Sequence, residues 1–193
     1  TSFEEFLLFQ LPLVLRKVSR KEKSGIKHDA AGKLCEDFIA ALPFELTAAQ
    51  QKVLAEIRAD MASSQAMQRL LQGDVGSGKT VVATLACLIA IQSRYQAAFM
   101  APSEILARQH YEKISAQLER LTFNGRKLRL GLLTGQDQEK DKLYREVKEG
   151  KIDLVIGTHA LLQEELTFKD LSFIVIDEQH KFGVGQRALL PKK

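Results

Sequence analysis

Short apolar runs alternate with longer amphipathic or polar stretches along most of the chain from residue 68 onward. The apolar runs predict five buried strands, at 68–72, 97–102, 128–134, 153–158 and 173–176. The intervening stretches predict helices at 80–93 and 103–118 and a polar, charge-rich helix at 137–149. Strands that alternate with helices indicate right-handed β-α-β units. The predicted fold class is therefore α/β, with a mostly parallel sheet and helices on both faces.

The first 41 residues follow a different pattern. Residues 3–18 carry apolar side chains near helical spacing and predict a docking helix that Pro12 kinks or divides. Between residues 16 and 27, six Lys and Arg side chains are opposed by Glu22 alone. This basic stretch is either a solvated connector or a strip that faces nucleic acid.

The composition is that of a folded protein, with 45% hydrophobic and 27% charged residues over 193 positions. A formal net charge of +4 is compatible with nucleic-acid binding and equally with an ordinary protein surface. Cys35 and Cys87 lie far apart, and Cys87 falls within the apolar run 81–91, so we expect buried thiols in a reducing compartment. That run is too short to span a bilayer and no signal peptide opens the chain, which predicts a cytoplasmic protein without a membrane partner.

The stretch 73–80 matches the phosphate-binding loop G-x-x-x-x-G-K-[ST] at every specified position. Its glycines permit the positive φ angles and the close backbone approach that a loop around a triphosphate needs. Lys79 is expected to bind the β- and γ-phosphates, and Thr80 to place its hydroxyl on Mg²⁺ at the start of the next helix. The alternative is a glycine-rich turn without a ligand. The predicted nucleotide-binding residues of this loop are Gly73, Asp74, Val75, Gly76, Ser77, Gly78, Lys79 and Thr80.

Gln50 has two competing interpretations. Thr47 followed three residues later by Gln50 forms a capping box, which predicts the start of a helix. The Gln50 amide could equally pair with the N6 and N7 edge groups of adenine while Phe44 packs against the base. Spacing alone leaves both interpretations open.

An acidic pair follows the last predicted strand directly. Asp177 is expected to hold Mg²⁺, and Glu178 to orient the water that attacks the γ-phosphate. The alternative is that two acids merely end a strand. His180 could relay between the nucleotide and a polymer, although a single His in a turn is often only hydrogen-bonded.

Polar residues also follow the other predicted strands, and the carboxyl ends of parallel strands meet at one edge of a sheet. Hydroxyl groups, glycines and helix N-termini in a row suit contact with successive phosphates of a nucleic-acid backbone. Taken singly, each residue is also compatible with an ordinary cap or turn. The candidate nucleic-acid-binding residues are Pro102, Ser103, Glu104, Thr134, Gly135, Thr158 and His159.

Five stretches, in this order, resemble helicase motifs I, Ia, Ib, Ic and II of superfamily 2. They read Gly-Asp-Val-Gly-Ser-Gly-Lys-Thr at 73–80, Met-Ala-Pro-Ser-Glu-Ile-Leu-Ala-Arg-Gln-His at 100–110, Leu-Leu-Thr-Gly at 132–135, Ile-Gly-Thr-His-Ala-Leu at 156–161 and Asp-Glu-Gln-His-Lys-Phe-Gly-Val at 177–184. The amino-acid sequences of these motifs are most similar to those of the RecG family of bacterial branch-migration helicases. Two departures are Ser103, where Thr is more frequent, and Lys181, where Arg is usual and offers bidentate contacts.

The resemblance implies a RecA-like motor domain of an ATP-dependent DNA helicase. Its expected partner is branched or duplex DNA, such as replication forks and four-way junctions in recombination and repair, and its expected cofactors are ATP and Mg²⁺. Lys79, Asp177 and Glu178 would be catalytic, and Gln179 and His180 would couple the nucleotide to DNA. Within the superfamily the alternative is a transcription-repair coupling translocase, in which we expect Glu where this chain has Gln179.

The resemblance also implies how the chain is divided. Residues 1–41 would be a helical connector from an upstream DNA-gripping wedge domain, and residues 42–193 the first RecA-like domain. We therefore expect a piece of a longer protein, in which the wedge and a second RecA-like domain with arginine fingers lie outside this chain. From a different functional class, the isolated chain would be an ATP-binding module with little turnover of its own.

Overall fold

The computed structural model describes residues 24–135 and 140–178. The docking helix predicted within 3–18 lies outside these residues. In chain order the elements are α1 (Lys33–Ala41), α2 (Ala48–Met61), α3 (Lys79–Gln92), β1 (Gln96–Met100), α4 (Glu104–Leu118), β2 (Thr122–Phe123), β3 (Arg126–Lys127), β4 (Leu130–Leu133), α5 (Lys140–Lys148), β5 (Leu154–Gly157), a 3-10 helix (His159–Leu162) and β6 (Leu171–Ile176).

The main sheet is parallel and has the strand order β4-β5-β1-β6. Phe99 of β1 lies opposite Ile156 of β5 on one side and Val175 of β6 on the other. Parallel strands need crossover connections, and the connections here pass through other elements. The carboxyl ends of the four strands, where ligands bind in such sheets, therefore lie at one edge. The predicted parallel sheet is confirmed.

Alternate residues of the buried strands enter two separate cores. Phe99 and Ile156 pack on one face, with α1, α2, α3 and α4. Met100 and Val155 pack on the opposite face, with Val147 of α5 and the 3-10 helix. This period of two is the strand geometry that places successive side chains on opposite faces. Both faces are therefore covered, as the near-continuous apolar strands predict.

Helix α3 is the most deeply buried helix of the described residues, since its residues from Val81 to Gln92 are buried with the exception of Ala83. It contacts α1 and α2 on one side and β1 and β6 on the other. A helix that is apolar nearly all round requires burial of this kind. The helix that follows the phosphate loop is thereby anchored against the sheet.

The strand predicted at 68–72 is wrong, because residues 66–74 form no strand in the structure. Arg69 is drawn to α2 instead, where its guanidinium pairs with Glu56 at 2.5 Å and with Asp60 at 2.6 Å. Leu70 is 68% exposed, so the segment lacks the burial that an apolar strand would need. Among the described residues, β6 accordingly forms the edge of the sheet, and its side chains are only half-buried.

A short hairpin between α4 and β4 was not predicted. Strands β2 and β3 pair antiparallel across Asn124 and Gly125, whose φ angles are 52° and 76°. Two successive left-handed residues form the tight turn that Asn-Gly favours between strands. The hairpin ends just before the strand predicted at 128–134, which is shorter than expected and comprises Leu130–Leu133 of the main sheet.

Both cysteines are free and buried, as the sequence predicts. Burial raises the pKa of the Cys35 thiol to about 11, and burial raises the pKa of Cys87 further. Neither thiol is therefore a nucleophile at neutral pH. None of the helices in the described ranges has the length and apolar character needed to cross a membrane.

Candidate functional site

The phosphate loop leads directly into α3. Gly76 and Gly78 have φ angles of 83° and 80°, in the left-handed region that residues with a Cβ rarely adopt. Gly78 is the N-cap residue of α3, and no side chain caps the helix there. The first N–H groups of α3 lack intrahelical partners and lie at the positively polarised helix end. This arrangement is suited to bind an anion such as a phosphate.

The Lys79 side chain is folded back over the loop. Its Nζ donates hydrogen bonds to the backbone carbonyls of Gly73 and Asp74, each at 2.7 Å. The loop is tight here, since a Cβ at position 73 would lie 2.7 Å from Ser77 Oγ. Val75 at the tip of the loop is fully exposed. The lysine is thus held by backbone carbonyls, which are contacts that a phosphate oxygen can replace.

Gln50 caps α2 and contacts the phosphate loop at the same time. Its Oε1 accepts from the Thr47 N–H at 2.9 Å, and its own N–H donates to Thr47 Oγ1 at 3.2 Å, so the capping box is confirmed. Its Nε2 donates to the Ser77 carbonyl at 2.9 Å, and a Cβ on Gly78 would collide with this amide. Each end of the amide keeps a second hydrogen-bonding position. Contact of Gln50 with adenine, and packing of the exposed Phe44 against the base, stay predictions.

Asp177 is held at the carboxyl end of β6 by its backbone and its side chain. Its N–H donates to the Met100 carbonyl at 2.8 Å, which extends the β1–β6 pairing. Oδ2 accepts from His110 Nε2 at 2.8 Å, and Oδ1 accepts from the Glu178 N–H at 3.0 Å. The His110 hydrogen bond is the main factor that lowers the pKa of Asp177, while burial opposes it and the Lys79 charge adds a smaller effect. The carboxylate is therefore ionised at neutral pH, near the lysine of the loop.

Glu178 lies in a turn with a φ angle of 47°, a left-handed conformation that is uncommon for a residue with a side chain. Conformations of this kind are concentrated at functional sites, where the surrounding structure enforces them. Asp177 and Glu178 form this turn directly after β6, which ends at Ile176. The catalytic role of Glu178 stays a prediction. Gln179 and His180 lie outside the described residues.

The described residues suit a Mg²⁺ ion that is bound together with a triphosphate. Such ions are held by one or two carboxylates and by the phosphates themselves, rather than by a dedicated protein cage. Within residues 24–135 and 140–178, no group of three or more His, Cys, Asp and Glu is placed to form a cage. Asp177 supplies one carboxylate. Lys79 and Thr80 are the first two residues of α3, directly after the phosphate loop. The donor set is therefore the one that a Mg²⁺-nucleotide site requires.

Two of the predicted DNA-contacting side chains are buried at the ends of β4 and β5. Thr134 is fully buried, and its Oγ1 accepts from Arg108 Nη2 at 3.5 Å. Thr158 is 2% exposed, and its Oγ1 accepts from the Ala160 N–H at 3.5 Å, at the start of the 3-10 helix. His159, the next residue, is exposed. The two hydroxyl groups thus serve local structure, and their contacts with DNA stay predictions.

The start of α4 lies at the same edge as the end of β4. Ser103 is the N-cap residue, and its Oγ accepts from the Leu106 N–H at 3.3 Å. Glu104 Oε1 accepts from the Gly135 N–H at 2.8 Å, which joins α4 to the end of β4. Ser103 and Gly135 are exposed, and Pro102 is half-buried. The structure therefore brings two of the predicted DNA-contacting stretches together.

His110 is a residue of the site that the sequence interpretation missed. It lies three residues after Ala107 and four before Ile114, both of which are fully buried. Helical spacing therefore puts it on the face of α4 that packs against the sheet. A titratable side chain on an apolar helix face, close to the functional strand ends, is the signal that could have identified it.

The chain is similar to known proteins over almost its whole length. Residues 47–191 match the DEAD/DEAH box helicase family. The chain is 46% identical to the ATP-dependent DNA helicase RecG of Aquifex aeolicus over 99% of its own length and 24% of the relative's length. It is 47% identical to RecG of Thermotoga maritima over 100% and 24%, and 46% identical to RecG of Bacillus subtilis over 99% and 28%. The chain thus spans about a quarter of the length of these relatives.

Among solved structures, the chain matches RecG bound to a three-way DNA junction with a TM-score of 0.84 and 45% sequence identity. The match covers 94% of this chain and 24% of that one. At this identity and TM-score the two chains share both their fold and much of their sequence. The predicted RecA-like α/β fold is confirmed. The chain belongs to the DEAD/DEAH box helicase family.

Proposed function

We propose that this chain is the first RecA-like motor domain of an ATP-dependent DNA helicase that acts on branched DNA. The observation that carries the proposal is that α3, which starts at Lys79 of the phosphate loop, packs against β6, which leads into Asp177 at its carboxyl end. The similarity to RecG, and to a RecG structure that contains a three-way junction, supports the choice of substrate. The whole protein would remodel forks and four-way junctions.

In this proposal the loop N–H groups and the N-terminus of α3 bind the phosphates of ATP, and Lys79 exchanges its backbone carbonyls for phosphate oxygens. Asp177 and Thr80 would hold the metal ion, and Glu178 would orient the attacking water. When bound, Mg²⁺ neutralises the charge that develops on the transferred phosphoryl group. Catalysis then rests on positioning and electrostatic stabilisation, since phosphoryl transfer asks little covalent chemistry of the protein.

The DNA backbone is proposed to lie along the edge that 102–104, 134–135 and 158–159 form. Ser103, Gly135 and His159 are exposed there and can meet phosphates directly. Gln179 and His180, which follow the acid pair, would couple this edge to the nucleotide. Residues 1–41 would connect this domain, residues 42–193, to an upstream wedge domain.

The arginine fingers that complete such ATP sites would come from a second RecA-like domain elsewhere in the whole protein. The share of the RecG relatives that this chain covers, 24–28%, leaves room for both further domains. Closure of two such domains around ATP and reopening after hydrolysis would move the protein along DNA. We propose that the site acts in a cytoplasmic protein.

The decisive substitution is Lys79→Ala in the longer protein that carries this domain. Unwinding of a model replication fork should fall by about 100-fold or more, because the lysine contributes transition-state stabilisation of several kcal/mol. Lys113→Ala, which removes an exposed lysine of α4, is the matched control and should leave unwinding unchanged. Unwinding that survives Lys79→Ala would move the motor to another site.

The isolated 193-residue chain provides a second measurement. It should bind ATP, yet hydrolyse it slowly whether or not DNA is present, because an arginine finger supplied from outside a site accounts for about 10³–10⁵-fold in related reactions. Steady-state ATP hydrolysis with and without forked DNA measures this directly. Rapid DNA-stimulated turnover by this chain alone would contradict the two-domain arrangement.

A further inference from the structure

The contact between His110 and Asp177 joins a helix to the metal end of the proposed site. His110 Nε2 lies 2.8 Å from Asp177 Oδ2. In the tautomer with the proton on Nε2, the ring donates this hydrogen bond to Oδ2, since a carboxylate accepts on both oxygens. Oδ1 accepts from the Glu178 N–H at 3.0 Å. The two bonds together fix the plane of the carboxylate and leave one lone pair on each oxygen for other partners.

The imidazole itself has little freedom to move. Its side chain is only 14% exposed, and the ring lies against Phe99 of β1 with the ring centroids 4.8 Å apart. Phe99 belongs to β1, one of the two inner strands of the main sheet, and is itself 2% exposed. The histidine is therefore supported by the rigid core rather than by a loop, as a group that orients another residue requires.

Helix α4 is also fastened at its N-terminal end. Glu104 binds the Gly135 N–H at 2.8 Å, and Arg108 donates to Thr134 at 3.5 Å, so the helix is tied to the end of β4. His110 follows Glu104 by six residues, which is about 9 Å along a helix at 1.5 Å per residue. One helix thus contacts the end of β4 and the end of β6.

We propose that His110 is a positioning residue that orients the Asp177 carboxylate for the metal ion of the nucleotide site. This inference rests on the proposed function, because it needs Asp177 to be a metal ligand. Outer groups that hold a ligating carboxylate commonly contribute about 10–100-fold to metal affinity or activity. Without the His110 bond, Oδ2 would turn toward other donors and Asp177 would meet the metal in several orientations.

The experiment compares His110→Ala with His110→Gln in the 193-residue chain, using Mn²⁺ as the metal probe. Electron paramagnetic resonance measures the binding of Mn²⁺ to the complex of protein and ATP. Fluorescent ATP in EDTA measures nucleotide binding without metal. The glutamine Nε2 can donate in place of the imidazole Nε2, which makes His110→Gln the rescue variant. Gln109→Ala, an exposed neighbour on the same helix, is the matched control.

His110→Ala should weaken Mn²⁺ binding in the ATP complex about 10-fold or more. It should leave metal-free ATP binding close to that of the Gln109→Ala control, although the thermal midpoint should fall by about a few degrees because the ring that packs on Phe99 is removed. His110→Gln should recover Mn²⁺ affinity to within about threefold of the unsubstituted chain, since the donor is retained. Equal losses for metal-free and metal-bound ATP would show a merely structural role and overturn the inference.

The failure of the proposed function would appear differently. If the unsubstituted chain bound no ATP, or if Asp177→Asn left Mn²⁺ binding unchanged, the nucleotide site itself would be wrong. If the unsubstituted chain bound Mn²⁺ with ATP, Asp177→Asn abolished this binding and His110→Ala matched the control, only the role of His110 would be wrong.

Discussion

The two edges of the parallel sheet use polar side chains in opposite ways. The ligand edge, so named because we propose that the nucleotide binds there, lies at the carboxyl ends of the strands and carries the phosphate loop 73–80 and Asp177. The closed edge, at the amino ends, carries Gln96, Asp153 and Ser172. Both edges are rich in polar groups in the sequence, so composition does not distinguish them.

At the closed edge the polar groups are satisfied within the protein. Gln96 Nε2 donates to the carbonyls of Val147 and Ile152, and its Oε1 accepts from the N–H groups of Lys169 and Asp170. These four bonds use all the capacity of one buried amide. Such a group joins α5, the loop before β5 and the loop before β6, and it offers nothing to a ligand.

Asp153 at the closed edge is satisfied in the same manner. The Arg126 guanidinium donates to both of its carboxylate oxygens, at 2.7 and 2.6 Å, and the Arg129 N–H donates at 2.8 Å. At the ligand edge, by contrast, the Lys79 ammonium group donates to two backbone carbonyls of its own glycine-rich loop. A polar group whose hydrogen-bonding capacity is filled by partners in the folded core is structural, whereas loop contacts that a phosphate could replace are those expected of a ligand-binding group.

The largest effect that would test this contrast is expected from Asp177→Asn at the ligand edge. Loss of the charge should reduce ATP hydrolysis in the longer protein by about 10²–10³-fold, because metal-assisted charge stabilisation amounts to several kcal/mol. The urea unfolding midpoint of the 193-residue chain should fall less than for a buried, arginine-paired carboxylate such as Asp153, because the Asp177 side chain is 29% exposed and Asn keeps one acceptor oxygen. A large loss of stability with intact hydrolysis would place Asp177 among the structural groups.

Asp153→Asn at the closed edge should show the opposite pattern. The free energy of unfolding should fall by about 1.5–3 kcal/mol, since charge-assisted hydrogen bonds to Arg126 are lost from a carboxylate that is 9% exposed. ATP binding by the folded protein should be unchanged. Urea unfolding followed by circular dichroism measures the first quantity, and fluorescent ATP measures the second.

The control for Asp153→Asn is Glu149→Gln, which removes the charge of an exposed carboxylate that pairs with Lys151. Exposed ion pairs contribute little to stability, so no measurable change is expected. Equal effects of the two substitutions would remove the distinction between a saturated buried group and an ordinary surface pair.

The smallest expected effect concerns His28, which is buried and lies at the closed edge. Its Nε2 is 2.8 Å from Ser172 Oγ, and burial lowers the pKa of the imidazole below 6.5. Above pH 6.5 the ring is neutral in both the folded and the unfolded chain, so its packing contributes fully to the free energy of unfolding. As the pH falls from 6.5 through the lower pKa of the folded state, the unfolded chain binds the proton more readily and stability is lost.

The slope that His28 adds should stay below about 1.4 kcal/mol per pH unit, the limit for one proton. His28→Gln keeps a side chain that can hydrogen-bond but does not titrate, so its unfolding midpoint should depend less on pH between 7 and 5. Urea midpoints at several pH values measure the difference. Parallel curves for both proteins would show that His28 titrates in the same way in the folded and unfolded states.

Much of the fold could be predicted because local patterns agreed with the tertiary arrangement. The buried run 81–91 formed α3, the capping box at Thr47 started α2, and the apolar runs around Phe99 and Ile156 formed adjacent strands. The strand predicted at 68–72 was wrong because the apolar pair of Leu70 and Leu71 outweighed the polar neighbours in the pattern. The pairing of Arg69 with Glu56 and Asp60 depends on how the segment packs against α2, which the local pattern does not show.

The sequence by itself determined the phosphate-loop motif, the acidic pair that follows β6 and the alternation of the four main-sheet strands with helices, because each depends on residues that are adjacent or regularly spaced along the chain. Only the tertiary structure decided that His110 meets Asp177, that Gln50 contacts Ser77, and that the hydroxyl groups of Thr134 and Thr158 are buried. These facts depend on which elements pack together and in what register. A linear pattern shows which chemical groups are available, whereas the packing of distant elements decides which of them remain open to a ligand.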